Sequence, residues 1–126
     1  MPATYTLEDG LIRLKFVGET SLPEVGATLD RALRDPACPE RPGVLSDLSE
    51  SSTISTRSTE DIRVGVGMFT RHKDRLDKIA LLTTPGARYA IMRMAGAFAE
   101  AANLETSVFT DEGEATRWLR PGHLDP

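Results

Sequence analysis

The run Ile79-Ala80-Leu81-Leu82 limits the fold more than any other stretch of the chain. Four consecutive apolar residues are too few for a helix and have no polar side to turn toward water. Such a run suits a strand covered on both faces, the kind found in parallel sheets flanked by helices. Two further stretches read alike. Gly43 to Ser49 is a buried strand built on Val44, Leu45 and Leu48, with Asp47 near its end, and Thr106 to Thr110 is one centred on Val108-Phe109. Each of the three runs into a helical pattern, so β-α units recur along the chain.

The helices announce themselves by their caps. Ser21-Leu22-Pro23-Glu24 combines a Ser cap, an early Pro and a Glu three residues after the cap. Leu22, Val25, Leu29, Ala32 and Leu33 follow at helical spacing, up to Asp35-Pro36, because Pro disfavours helix in the residue before it. Pro36 to Gly43 carries three prolines and reads as a surface loop. A second helix is expected from Ser58 or Thr59, with Glu60 and Asp61 at its positive end and Ile62, Val66 and Phe69 inward. Gly65 and Gly67 each cost it roughly 1 kcal/mol relative to Ala, so it leans on tertiary packing. Thr83-Thr84-Pro85 is read as the start of a third helix, with Ile91, Met94, Ala95, Phe98 and Ala102 in period and Asn103 ending it. Asp111-Glu112-Gly113-Glu114 reads as a capping box for a fourth, with Ala115, Trp118 and Leu119 inward.

Ahead of these units, Tyr5 to Leu7 and Leu11 to Val17 flank the turn signal Glu8-Asp9-Gly10. This predicts an antiparallel hairpin with Ile12, Leu14 and Phe16 toward the core. The whole is an α/β fold of order β-β-α-β-α-β-α-β-α. Its sheet is mostly parallel, with an antiparallel N-terminal edge, right-handed crossovers and covering helices. One domain over residues 1–126 is expected, with 121–126 a frayed tail.

Composition excludes several classes of function. A net charge of −4 over 126 residues argues against general nucleic-acid binding, which needs a basic face. A single cysteine, Cys38, leaves no disulfide framework or thiolate metal cluster and fits a reducing, cytoplasmic setting. No apolar run reaches a membrane span, and the first ten residues lack the basic start and apolar core of a signal peptide.

The element order, with a hairpin first and a Ser/Thr loop after the third strand, resembles the STAS and SpoIIAA-like (anti-sigma-factor antagonist) family. The closing segment Val108 to Leu119 looks like the acidic-capped final helix of SpoIIAA-like proteins. In regulatory members an Asp-Leu-Ser-like strand end leads to an Asp-Ser-Ser-Gly-Leu motif, whose serine is phosphorylated by a partner kinase. Asp47-Leu48-Ser49 matches the first part. The second would fall on Ser55-Thr56-Arg57-Ser58, where Ser55 replaces the acidic residue, Arg57 falls near the usual phosphoacceptor and no glycine follows. The resemblance therefore implies the fold and the location of the active surface, and not the phosphorylation switch.

The crevice beyond the carboxyl ends of parallel strands is the usual place for ligands and partners. Candidate binding residues there are Asp47, Ser49, Ser55, Thr56, Arg57 and Ser58. Helix N–H groups and hydroxyls favour an anion, and the Arg57 guanidinium suits phosphate or carboxylate. The leading expectation is a regulatory or protein-interaction module, without enzymatic activity, that uses the Ser/Thr loop and the helix after it. An alternative is a small apolar or amphipathic ligand held between the second and third helices, with Met68, Phe69, Met92, Met94 and Phe98 as lining. A hydrolase or transferase using Asp47 beside Arg57 is a third reading. Neither a cofactor nor a metal is expected: His72 and His123 lie outside any H-x-x-x-H spacing, and Cys38 reads as inert. Arg71, His72, Lys73, Arg75 and Lys78 form a basic cluster that suits the end of a helix or an acidic partner. A homodimer through an exposed helix face is compatible with the pattern.

Overall fold

The computed structural model describes residues 3–120. Pro121 to Pro126, with His123 and the expected tail, lie outside the described residues. A hairpin opens the chain: β1 (Ala3–Glu8) and β2 (Leu11–Gly18) pair antiparallel, with Glu8 opposite Leu11. Asp9 and Gly10 turn it with φ of 54° and 78°, the left-handed pair that a two-residue turn needs to match strand twist. α1 (Leu22–Arg34), β3 (Gly43–Ser51), α2 (Thr59–Thr70), β4 (Ile79–Leu82), α3 (Ala87–Ala101), β5 (Thr106–Phe109) and α4 (Glu112–Leu119) follow. Single turns of tighter helix at Ile54–Thr56 and Lys73–Arg75 bracket α2.

The sheet runs β1-β2-β3-β4-β5, in the order of synthesis, and every pair after the hairpin is parallel. Right-handed crossovers that always step in one direction put their helices on one face. α1, α2 and α3 accordingly cover that face, where Ile12, Leu14, Phe16, Val44 and Ile79 meet Leu29, Ala32 and Leu33 of α1 and Ala99 of α3. The chain reaches the opposite face only after β5. There α4 alone packs Ala115 and Leu119 on Leu11, Leu45, Ala80 and Leu82. The run Ile79 to Leu82 is thus covered from both sides, as its composition requires.

The caps behave largely as read. Ser21 and Glu24 complete a reciprocal box, Asp35 ends α1, and Asn103 ends α3 in the left-handed region at φ 67°. Two boundaries and one cap differ. β3 continues two residues past Ser49, because Glu50 and Ser51 pair with Val17 and Gly18 beyond a bulge. α3 starts at Ala87, not at Thr84-Pro85: Thr83 still donates its N–H to Phe109, and Gly86 makes the turn at φ 96°. Asp111 caps α4 alone, accepting from Gly113 N–H at 2.8 Å, without a reciprocal bond from Glu114.

Candidate functional site

A cavity of about 90 Å³ lies between the helix-covered face of the sheet and the helices above it. Leu48 and Leu81 form its floor, Leu22 and Val25 of α1 one wall, Ile62, Val66 and Phe69 of α2 a second, and Met92, Ala95 and Ala99 of α3 a third. Gly65 contributes bare backbone to the α2 wall. The lining is overwhelmingly apolar, and the partly exposed Arg57 and Asp61 mark the rim. A lining of this kind favours apolar guests, and the space exceeds the roughly 10–15 Å³ that one water needs.

The hydroxyl-rich loop closes one end of this space. Ile54 plugs into it, 5% exposed, and carries the Ile54–Thr56 turn. Arg57 Nη2 donates to the Thr20 carbonyl at 2.6 Å, tying the loop to the turn between β2 and α1. Ser58 caps α2 by accepting Asp61 N–H at 3.0 Å, and Thr56 Oγ1 donates to the Thr53 carbonyl at 2.9 Å. Ser55, Thr56 and Ser58 are exposed. The loop hydroxyls thus serve local structure from a surface that water reaches.

Of the candidate residues, Arg57, Phe69 and Met92 border the cavity, whereas Met94 and Phe98 of α3 do not. Nor does Asp47. Its chain neighbours Ser46 and Leu48 line the cavity, so strand alternation sends Asp47 through the sheet to the α4 face. There it is 6% exposed, and its Oδ1 accepts both the N–H and the hydroxyl of Ser49, at 3.0 and 2.6 Å. The arrangement of Asp47 beside Arg57 in one crevice, which a hydrolase or transferase would need, is absent. Ser49 is held on that side too, with its carbonyl accepting from Arg88 Nη1 at 3.0 Å. Met68 packs against α1 instead, its sulfur 3.2 Å from where a Cβ on Gly26 would stand.

The basic cluster is engaged within the protein. His72 Nε2 lies 3.0 Å from Asp30 Oδ1, and Arg71 Nη2 is 3.5 Å from the other oxygen. Lys73 donates to the Ala102 carbonyl, Arg75 to the Leu33 carbonyl, and Lys78 sits 4.4 Å above the Trp118 ring. These side chains fasten α2 and the loop after it to α1, α3 and α4. Burial pushes the Cys38 thiol upward, away from the reactive thiolate. Among the described residues, no three His, Cys, Asp or Glu side chains cluster as a metal site would need.

Sequence reasoning missed Leu22, Val25 and Ile54 as cavity residues. The α1 pair share the helical period of Leu29 and Leu33, and their early position in the helix is the only sign that they overhang the strand ends. Ile54, the one large apolar residue inside a run of hydroxyls, was the visible signal for an anchored loop.

Comparison with known proteins gives the same frame. The family model described as SpoIIAA-like matches residues 11–120. The fold is similar to the crystal structure of an uncharacterized protein from the DUF3478 family, with a SpoIIAA-like fold, from Shewanella loihica PV-4. The two superpose with a TM-score of 0.61 at 18% identity, over 93% of this chain and 91% of that one, a likeness of fold. No curated protein matches. Among the described residues, no helix is long and apolar enough to cross a membrane.

Proposed function

The chain belongs to the SpoIIAA-like family, and on that premise we propose that it is a binding module for a small apolar or amphipathic ligand held between α2, α3 and the sheet. The observation that carries this reading is the apolar cavity of about 90 Å³, roofed by a helix with glycines at 65 and 67. Protein interiors are close-packed, and few voids exceed a water molecule. An apolar space several times that size, rimmed by Arg57 and Asp61, suits a compact apolar group that carries a polar end. A ligand longer than the cavity would extend past that rim toward the Ser/Thr loop.

A second reading, a protein-interaction surface on Ser55, Thr56, Arg57 and Ser58, draws support from Ile54. That side chain joins the exposed loop to the cavity, so a guest pressing on Ile54 would alter the surface a protein partner meets. The two readings describe one device if the loop reports occupancy.

The test is native mass spectrometry of protein purified from its own cells, paired with thermal shift against small aromatic and branched aliphatic compounds. A co-purified small molecule, or stabilisation that Ala95→Leu abolishes by filling the cavity, is the expected result. Wild-type protein that none of these compounds stabilises, and that carries no small molecule, would overturn the ligand reading.

A further inference from the structure

On the next face of α3, away from the apolar cavity, a groove of about 320 Å³ runs between α3 and β5. β5 is the last strand of the sheet and pairs, among the described residues, only with β4. Ile79 N–H donates to the Glu105 carbonyl and Thr83 N–H to the Phe109 carbonyl. Backbone groups point to alternate sides along a strand, so 105, 107 and 109 address β4 while Thr106 and Val108 face the free edge. Thr106 N–H is taken by Glu100 Oε1 at 3.2 Å. Among the described residues, the Thr106 carbonyl and both backbone groups of Val108 have no hydrogen-bond partner. An edge in this state is a template for another strand.

The helix beside it is patterned to match. Arg93, Gly96, Ala97 and Glu100 border the groove and stand at i, i+3, i+4 and i+7, one face of α3. The stripe has a cation at one end, an anion at the other and small residues between. A Cβ on Gly96 would lie 3.8 and 3.9 Å from the methyls of Thr106 and Val108, so the middle of the stripe rides over the middle of β5. A two-fold axis perpendicular to the sheet, passing beside Ser107, reverses strand and stripe together. It sets Arg93 of one copy toward Glu100 of the other at both ends, with Gly96 and Ala97 of both copies meeting in between.

We infer that this edge is a homodimer interface, in which β5 of two copies pair antiparallel about Ser107 and the α3 stripes lie side by side. Val108 N–H then donates to the Thr106 carbonyl of the second copy, twice by symmetry, and the sheet continues across both copies. Such an isologous contact closes on itself and leaves no further edge for growth at that strand. The partner is a second copy of this chain because the charge order is self-complementary: an acidic or basic stranger would satisfy one end of the stripe and oppose the other.

Analytical ultracentrifugation of the whole chain tests this, with circular dichroism to follow folding. The wild type is expected to dimerise. Arg93→Glu and Glu100→Arg are each expected to weaken the dimer about tenfold or more, since each turns two attractions into repulsions. An equimolar mixture of the two variants should associate again, because Glu at 93 then faces Arg at 100 and the reverse. This arm separates the interface from any folding loss caused by freeing Thr106 N–H in Glu100→Arg. Val108→Pro should give a folded monomer, since that N–H is not used in the ladder to β4. A wild type that stays monomeric at its highest soluble concentration would overturn the proposal. So would a dimer indifferent to both charge reversals and to Val108→Pro, which would belong to another surface.

Discussion

The hydroxyl of Tyr5 lies 2.9 Å from Oδ2 of Asp35 and joins the first strand to the residue that ends α1. The other carboxylate oxygen accepts Ala37 N–H at 2.9 Å. That backbone donor, and after it the phenol, hold the Asp35 carboxyl below the usual carboxylate range, while the bond to Asp35 raises the Tyr5 phenol. A carboxylate with a lowered pKa in the fold stabilises above its unfolded value, and that stability is lost as pH falls through the folded value. Tyr5→Phe is therefore expected to lower the melting temperature at neutral pH, with the gap to wild type narrowing below about pH 4. Melting curves at pH 7 and pH 3 check it; an equal gap at both would remove the ionised carboxylate from the account.

Arg57 holds the Ser/Thr loop against the β2–α1 turn through the Thr20 carbonyl. Hydrogen bonds to a charged group contribute about 1.5–3 kcal/mol, less where water competes. Arg57→Ala should cost about 1 kcal/mol and make the stretch from Ser52 to Ser58 cleavable by protease at rates the wild type does not show. Arg57→Glu should be at least as disruptive, because Asp61 shares the cavity rim. Unchanged proteolysis in both variants would mean that the loop is held elsewhere.

The two glycines of α2 offer a paired comparison. A Cβ on Gly67 meets nothing within 4 Å, and one on Gly65 meets Leu22 Cδ2 at an ordinary 3.5 Å. Either change to Ala should stabilise the helix by about 1 kcal/mol. Gly65 borders the cavity and Gly67 does not, so only Gly65→Ala should also reduce uptake of an apolar guest. Denaturant melts with and without the guest separate the effects, and equal behaviour of the two variants would place the guest somewhere else.

Asp47 supports the bulged stretch of β3 at Ser49 from a buried position. Its loss leaves donors without an acceptor, which costs about 1–3 kcal/mol. Asp47→Ala should therefore lower stability by that amount in urea titration and leave guest affinity in the folded protein unchanged. A loss of affinity with intact stability would give the carboxylate a direct role.

Element order was legible because each β-α unit carries its own caps and periodicity, and the fold follows from that order through crossover handedness. The inner stripe of α2 could be read as Ile62, Val66 and Phe69 because charged residues and glycines flank it. For α3 the apolar residues crowd Ile91, Met92, Met94 and Ala95 together, and period alone could not choose among them; Met92, 2% exposed, faces inward. The partners of Arg57, His72 and Arg75 lie 37 to 42 residues away, on segments that only the folded sheet brings near. Asp47 shows the same limit at close range. Its place beside the strand end was legible, but which face it takes depends on the register of the whole strand.

Because spatial order in the sheet follows chain order, each strand emerging from the ribosome finds its neighbour already made. The sheet can thus assemble from one end during synthesis, without waiting for a distant partner. The α4 face is the exception. Leu11, Leu45, Ala80 and Leu82 wait for a helix made after β5, so the nascent protein carries an uncovered apolar strip until α4 is complete. A stalled or truncated chain that lacks α4 would keep that strip exposed as a sticky surface, fit for chaperones or for aggregation.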